Sequence, residues 1–412
     1  MKILWISQAV QSNEAGGTIG QTDRVEMPGL IARLGHQVKL IVGASPVDLV
    51  RGVKALPHSD VVYLPMIKRS LLTTLTFQSA LAFILPFQLL RFAPDIVIVD
   101  YFSILSIMPW ALLRKLGVLR TCFILDLRTL VVDVKGWRGR VSVGRFDLSL
   151  RFAHRFMDGI TMITPRMRDD LSKRFGIPRE QVGVWESGVN IEKFLSAKSR
   201  RDALGWTNKF VVLYHGTLSP NRGLQSTIAA IAELRSEYPD LLLCLLGAGP
   251  AWKELETLVK ESRLEQVVTI HPPVPYAEVP DYIASADVGI IPLPDIEWWS
   301  TSSPLKLMEY LAAGKPVIVS RIAAHTAVLQ ASECAFYLRD VSPQAIKEGI
   351  CHFHARRQDL THLGAAGREI VRERFSWERQ AEKLVEYVGL KCARNPRTDI
   401  EHGSSWIEGS DV

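Results

Sequence analysis

Short, continuous apolar runs separated by longer amphipathic stretches govern what this chain can fold into. Eleven runs read as buried strands, at residues 3–7, 38–42, 61–64, 96–100, 122–125, 160–163, 210–214, 241–246, 267–270, 288–291 and 317–319. Nearly all are separated by 10 to 20 residues of helical pattern. A run that is apolar at every position is buried on both faces. A helix between successive runs returns the chain so that the next strand lies parallel. Eleven strands are too many for one simple doubly wound sheet, and 412 residues are too many for one ordinary core. The expected fold class is α/β, as two Rossmann-like doubly wound parallel-sheet domains. The first covers residues 1–195 and the second 209–376, with a polar linker at 196–208. A helix at 377–392 follows, and the polar tail at 393–412 is expected to be disordered. A TIM barrel competes, but it predicts eight equivalent units and no linker.

Charge divides the halves. Residues 1–195 hold 25 Lys and Arg against 16 Asp and Glu, whereas the remainder holds 24 against 27. A basic first domain suits an anionic surface or acceptor. No basic stripe interleaved with aromatics accompanies it, so nucleic acid is not expected as a partner. The five cysteines are scattered without metal-like pairing, which points to a reduced, cytoplasmic setting. Residues 1–7 read as a strand and not as a signal peptide.

In open parallel sheets, ligands bind beyond the carboxyl ends of the strands. Four such ends carry suggestive loops. Gly16 and Gly17 follow the first strand, where paired glycines let backbone amides approach a phosphate or sugar; a structural turn fits them equally. Gly216, Thr217 and Arg222 follow the run at 210–214. A glycine turn and then a cation at a helix start suits a diphosphate, with a plain surface arginine as the alternative. Gly247 and Gly249 make a turn that could underlie a nucleobase or sugar, or simply join strand to helix.

The fourth loop opens residues 302–320. Ser303 is expected as the N-cap of a helix and Pro304 as its first residue, with Gly314 ending it and Pro316 starting a strand. The backbone around Ser303, Pro304 and Leu305 would then turn a helix N-terminus on an anion, and Lys306 adds charge in the first turn. Glu309 cannot favour a phosphate, but it can accept hydrogen bonds from sugar hydroxyls. Phosphate at the helix tip with ribose beside it describes a nucleoside diphosphate. An ordinary polar cap remains the alternative, since capping needs no ligand.

Taken together, these turns resemble the retaining GT-B glycosyltransferases of family 4, over about residues 1–390. The resemblance rests on Leu34-Gly35-His36-Gln37-Val38, on the stretch from Trp185 to Phe194, on Leu246-Gly247-Ala248-Gly249-Pro250, and on the stretch from Ala286 to Leu293. Residues 303–310 match a subgroup pattern, Ser-Pro-Leu-Lys-Leu-x-Glu-Tyr, associated with polysaccharide, capsule or O-antigen assembly. The resemblance implies a GT-B fold whose last helix crosses back to the first domain. It implies hexosyl transfer from a nucleotide diphosphate-sugar to a hydroxyl acceptor, with retention. It carries Arg222 over as a diphosphate cation and Glu309 as the ribose ligand. Two positions depart from the pattern. Thr217 stands where the family usually has arginine, and Thr301 where it usually has a sugar-contacting glutamate. Lys306 would supply the missing positive charge.

Cleavage at an anomeric carbon produces an oxocarbenium-like centre and a diphosphate leaving group, which Arg222, Lys306 and the helix start would stabilise. No compact carboxylate–histidine ligand set is apparent, so no metal or other cofactor is expected. Asp126 and Arg128 are expected at a strand end facing the cleft. Asp126 would position or deprotonate the acceptor and Arg128 would hold a phosphate; an intradomain ion pair is the alternative. His36 and His215 read as structural. A sugar-nucleotide epimerase and a non-catalytic sugar-nucleotide-binding protein stay open as other functions. An oxidoreductase is disfavoured because the dinucleotide fingerprint is missing.

Residues 70–90 form 21 uncharged positions between Lys68-Arg69 and Arg91, long enough to span hydrocarbon. Pro86, several polar residues and a position between two strands of one sheet argue against spanning. An apolar helix partly exposed to lipid is expected, with Arg114, Lys115, Arg120, Arg138, Arg140 and Arg145 near headgroups and a lipid-linked or surface-glycan acceptor. A wholly buried helix beside a solvated basic face is the alternative.

Overall fold

The computed structural model describes residues 1–10, 22–45, 47, 60–67, 70–131 and 136–393. Gly16, Gly17 and the tail from residue 394 lie outside the described residues, as does the side chain of Arg138.

Two parallel sheets carry the fold. The first contains β1 (Lys2–Val10), β2 (Gln37–Ala44), β3 (Asp60–Pro65), β4 (Ile96–Val99), β5 (Cys122–Leu127), β6 (Gly159–Met162) and β7 (Val182–Val184), in the order β3-β2-β1-β4-β5-β6-β7. The second contains β8 (Phe210–His215), β9 (Leu241–Leu246), β10 (Val268–His271), β11 (Val288–Ile291), β12 (Val317–Ser320) and β13 (Ala335–Leu338), in the order β10-β9-β8-β11-β12-β13. Burial explains the apolar runs. Ile3, Leu4, Trp5 and Ile6 are all fully buried because helices cover both faces of the sheet, and β9 is buried at every position. Strand order reverses between β1 and β4, and again between β8 and β11. Each reversal opens a crevice at the carboxyl ends of the strands.

Two strands have no counterpart among the eleven apolar runs. β7 is three residues long and contains Gly183. A Cβ at Gly183 would lie 2.5 Å from the Tyr387 ring, so the close approach of the last helix explains the glycine that hides the strand. β13 is an edge strand, half-buried at Ala335, Phe336 and Tyr337, and lacks a continuous apolar signature.

The last helix, Trp377–Ala393, packs on the first domain although it follows the second. Its Trp377, Ala381, Leu384 and Val388 join Ile3, Trp5 and Ile124 in one core. The Tyr387 hydroxyl accepts from the Ile160 amide at 3.0 Å and donates to the Gln181 carbonyl. The two crossings between domains lie side by side: Val189 bridges Ser376, and its amide donates to the Phe375 carbonyl at 2.9 Å. The polar stretch at 196–208 is pinned to the second domain, where Arg201 meets Asp287 at 3.1 Å and Arg200 meets Glu278 at 2.8 Å.

The helix Ser70–Phe92 lies on the first sheet, with Phe77, Leu81 and Leu85 fully buried beneath it. Two of the expected headgroup cations turn inward instead. Arg114 pairs with Asp158 at 3.2 Å, and Arg145 donates to Thr74 at 3.3 Å while lying 4.9 Å from the Phe102 ring centroid.

Candidate functional site

The domains meet across a cavity of about 240 Å³. Arg128 and Ile163 line it from the first domain, and Arg222, Trp299, Ser303 and Lys306 from the second. Two hydrogen bonds close its wall between domains: Thr164 Oγ1 donates to the Thr301 carbonyl at 2.7 Å, and the Ser187 amide to Ser303 Oγ at 3.2 Å.

The second bond corrects the expected helix start. The helix runs Leu305–Ala312 and Pro304 occupies the cap position, with no side-chain cap. A residue before proline is steered away from helical backbone, and the Ser303 hydroxyl is taken by Ser187. Ser303 therefore joins the domains and does not cap. Lys306 keeps its place in the first helical turn.

Arg222 and Lys306 are the cationic wall of the cavity. The Arg222 guanidinium stacks on Trp299, 4.1 Å from the ring centroid, and its Nε donates to Ser219 Oγ at 3.3 Å. Lys306 Nζ sits 5.6 Å from the Tyr214 ring centroid. Among the described residues, neither cation has a carboxylate within ion-pair distance. Burial, and then the like charge of Arg222, pull the Lys306 ammonium from 10.5 down to about 7, with Glu309 opposing. A lysine held this way gains a full charge when an anion arrives.

Glu309 is only 2% exposed, on the same helix. Its Oε1 accepts from the Tyr276 hydroxyl at 2.8 Å, and its Oε2 lies 3.4 Å from His215 Nε2. Burial raises the carboxyl to about 7, opposed by the tyrosine hydrogen bond, Lys306 and Lys193. Burial and the Lys306 charge push His215 down to about 3, so the imidazole is neutral and its contact with Glu309 is not an ion pair.

The glycine turns have a packing reason. Gly247 has φ +152, and a Cβ there would lie 1.9 Å from the Gly216 carbonyl oxygen. A Cβ at Gly249 would lie 2.1 Å from the Leu218 carbonyl oxygen. The loops after β8 and β9 thus touch backbone to backbone, and Gly216, Thr217, Gly247 and Gly249 are not among the residues that line the cavity. Thr217 is exposed, and its carbonyl accepts from the Tyr214 hydroxyl at 2.8 Å.

Asp126 does not face the cleft. It is 1% exposed and accepts from Thr161 Oγ1 at 2.8 Å and from Trp185 Nε1 at 3.0 Å, so it fixes the tryptophan. Arg128, two residues on, does reach the cavity. Its guanidinium lies 3.4 Å from the Trp185 ring centroid and donates to the Trp185 carbonyl at 2.6 Å. Thr301 is buried, and its hydroxyl bonds back to the Glu297 carbonyl at 2.7 Å.

Trp299 and His325 also line the cavity, although no sequence pattern singled them out. Trp299 Nε1 and His325 Nε2 are buried without a partner among the described residues. His325 Nδ1 lies 2.9 Å from the Ser320 carbonyl, which can only accept, so the proton sits on Nδ1. Burial lowers this histidine to about 4, leaving Nε2 as a neutral acceptor. Among the described residues, no group of three or more His, Cys, Asp or Glu gathers as metal ligands.

Residues 29–193 match the family model described as Glycosyltransferase Family 4, and residues 209–356 match that of Glycosyl transferases group 1. The chain is similar to a D-inositol 3-phosphate glycosyltransferase of Arthrobacter sp. (strain FB24), 32% identical over 41% of this chain and 41% of that one. It is also similar to a GDP-mannose-dependent alpha-(1-6)-phosphatidylinositol monomannoside mannosyltransferase of Mycolicibacterium smegmatis, 24% identical over 58% of this chain and 64% of that one. The matches therefore span about two-fifths to two-thirds of these relatives' length. Among solved structures, Anabaena HepE in complex with UDP superimposes with a TM-score of 0.70 at 18% identity, over 95% of this chain and 100% of that one. WaaG, a glycosyltransferase involved in lipopolysaccharide biosynthesis, does so with a TM-score of 0.69 at 14% identity, over 94% and 100%. At such identities the likeness is one of fold: two Rossmann-like domains in the GT-B arrangement.

Proposed function

We propose that this chain is a glycosyltransferase that moves a sugar from a nucleotide diphosphate-sugar to a hydroxyl acceptor, with retention of configuration and in the assembly of a surface glycan or glycolipid. One observation carries the reading: Arg222 and Lys306 face one interdomain cavity at a helix start, with no carboxylate paired to either among the described residues. Both family matches and the UDP-bound fold neighbour support it.

In this reading the diphosphate lies between Arg222 and Lys306, and the helix Leu305–Ala312 points its N-terminus at it. As the glycosidic bond breaks, negative charge grows on the leaving diphosphate. The two cations stabilise that charge without a metal step. Glu309 accepts the ribose hydroxyls. His325 Nε2 and Trp299 Nε1, an acceptor and a donor, offer hydrogen bonds to hydroxyls deeper in the cavity. The acceptor enters from the first domain beside Arg128, whose stacking on Trp185 leaves it a fixed cation at the rim.

The test measures binding and turnover together. UDP, GDP, ADP and dTDP are titrated into the protein, and sugar conjugates of the tightest binder are offered with acceptors of increasing lipid character. Arg222→Ala should weaken diphosphate binding about ten- to a hundredfold, as expected for losing a charge-assisted contact of about 1.5–3 kcal/mol. Equal binding by wild type and variant would overturn the assignment. Tight binding without transfer to any acceptor would favour a binding protein.

A further inference from the structure

We infer that the outer faces of three first-domain helices form one docking surface for an anionic lipid bilayer, with the helix Ser70–Phe92 lying in the plane of the membrane. The inference is independent of the donor-site assignment.

This helix is apolar on both sides. Its inner stripe, Phe77, Leu81 and Leu85, is fully buried on the sheet. Its outer stripe is Leu72, Leu75, Phe83, Phe87 and Leu90, spaced to fall on one side, with Phe83 73% and Leu90 82% exposed. A surface helix of a soluble domain carries polar residues on that side. Here residues 70–90 contain no charge at all.

The neighbouring helices extend the stripe. Ile104–Lys115 and the turn after it add Leu105, Leu112, Leu116 and Val118, with Leu116 76% exposed. Gly136–Phe156 adds Trp137, Val141 and Leu148 on one side, and Val143 is exposed elsewhere on it. All three helices pack into one core on the same face of the first sheet. Together they carry 13 of the 21 exposed large apolar side chains of the described residues, so the exposure is concentrated and not scattered.

Charge selects the occupant. Arg91, Lys115, Arg120 and Arg140 are exposed at the edges of this surface. The helices Ser70–Phe92 and Ile104–Lys115 contain no acidic residue, and Asp147 on the third is paired with Arg174 at 3.2 Å. A second copy docking here would bring like charges together. An anionic bilayer takes the apolar stripe into its acyl boundary and the cations among its headgroups. The buried inner stripe holds the helix to the sheet, so it lies on the membrane and does not cross it.

The surface has one end at the carboxyl edge of the first sheet. Thr74, in the first turns of the helix, accepts from Gln8 Nε2 at 3.1 Å, and Gln8 sits at the carboxyl end of β1. A bilayer on this face would therefore lie beside the carboxyl edge of the first sheet.

The test is co-sedimentation of the full chain with vesicles of phosphatidylcholine alone or with one-third phosphatidylglycerol, at low and high salt. The wild type should pellet with the anionic vesicles at low salt and much less with neutral ones. The pair Phe83→Ser, Phe87→Ser and the pair Arg91→Glu, Arg140→Glu should each lower the partition coefficient at least about tenfold, with an unchanged thermal midpoint. Wild-type partition in both pairs, or no wild-type binding to anionic vesicles, would overturn the inference. A lipid-free dimer that the phenylalanine pair converts to monomer would assign the face to a second copy instead.

Discussion

The Tyr276 hydroxyl donates to Oε1 of Glu309 at 2.8 Å, and with His215 on the other side it closes the carboxylate to which we assign the ribose. Tyr276 comes from the loop after β10, and Lys193, next to the domain crossing, lies 4.1 Å from its ring centroid. The occupied carboxylate thus sits between the donor loop and the segment that joins the domains. A ribose taking this carboxylate would compete with the phenol for Oε1.

Tyr276→Phe keeps the ring and removes only the competing hydroxyl. A hydrogen bond to a charged group is worth about 1.5–3 kcal/mol, and only part of this is recovered because ribose hydroxyls replace it. Nucleoside diphosphate should therefore bind about three- to tenfold more tightly at pH 8, where Glu309 is ionised, as read by isothermal titration. Weaker binding in Tyr276→Phe would show that the hydroxyl helps to hold the nucleotide.

Lys306 couples binding to protons. Its folded pKa of about 7 lies below its ordinary 10.5, so between those values the unfolded chain holds a proton that the folded chain lacks. Stability of the free protein from this group therefore rises with pH across that window. Glu309 runs the other way. Its folded value of about 7 lies above its ordinary 4.5, so its contribution falls as pH rises between them. A diphosphate that restores the Lys306 charge should take up as much as about one proton at pH 8. Calorimetry in buffers of different ionisation enthalpy measures this uptake. Lys306→Met should abolish both the uptake and most of the affinity while raising the midpoint of the free protein. Heats that do not depend on the buffer would remove Lys306 from the diphosphate site.

Asp126 separates a structural role from a catalytic one. Asp126→Asn keeps an acceptor for Trp185 and Thr161 but no base. Loss of a general base typically costs about 10²- to 10⁴-fold in rate. We expect kcat to stay within about tenfold, because the carboxylate faces Trp185 and not the acceptor, and stability to drop by about 1–3 kcal/mol. Steady-state kinetics beside a urea titration decides between the two roles; a rate loss in the general-base range with normal stability would return Asp126 to catalysis.

Gly183→Ala tests the return of the last helix. The added methyl would meet the Tyr387 ring at 2.5 Å, and overpacking of this kind costs about 1–3 kcal/mol. The denaturant midpoint should fall, and Tyr387→Leu in the same chain should recover part of the loss. Purely additive losses in the double-mutant cycle would mean that the two residues do not press on each other.

Much of the architecture is legible along the chain because burial on both faces of a strand demands apolar residues at consecutive positions. β8, β9 and β12 announce themselves in that way, and the helices between them follow from the need to return in parallel. The placement of Lys306 and Glu309 on one helix is readable for a similar reason, since their spacing is local. β7 and β13 escape because they are short edge strands, one interrupted by a glycine that a helix from the far end of the chain requires. Ser303, Asp126 and Trp299 could not be placed from their neighbours in sequence. Ser303 satisfies an amide 116 residues away, Asp126 orients an indole 59 residues away, and Trp299 stacks on a guanidinium from another loop. Periodicity records which face of an element is buried, because that depends on the element's own geometry. The partner of a buried polar side chain depends on which distant segments pack beside it, and that is settled only when the two domains and the returning helix close together.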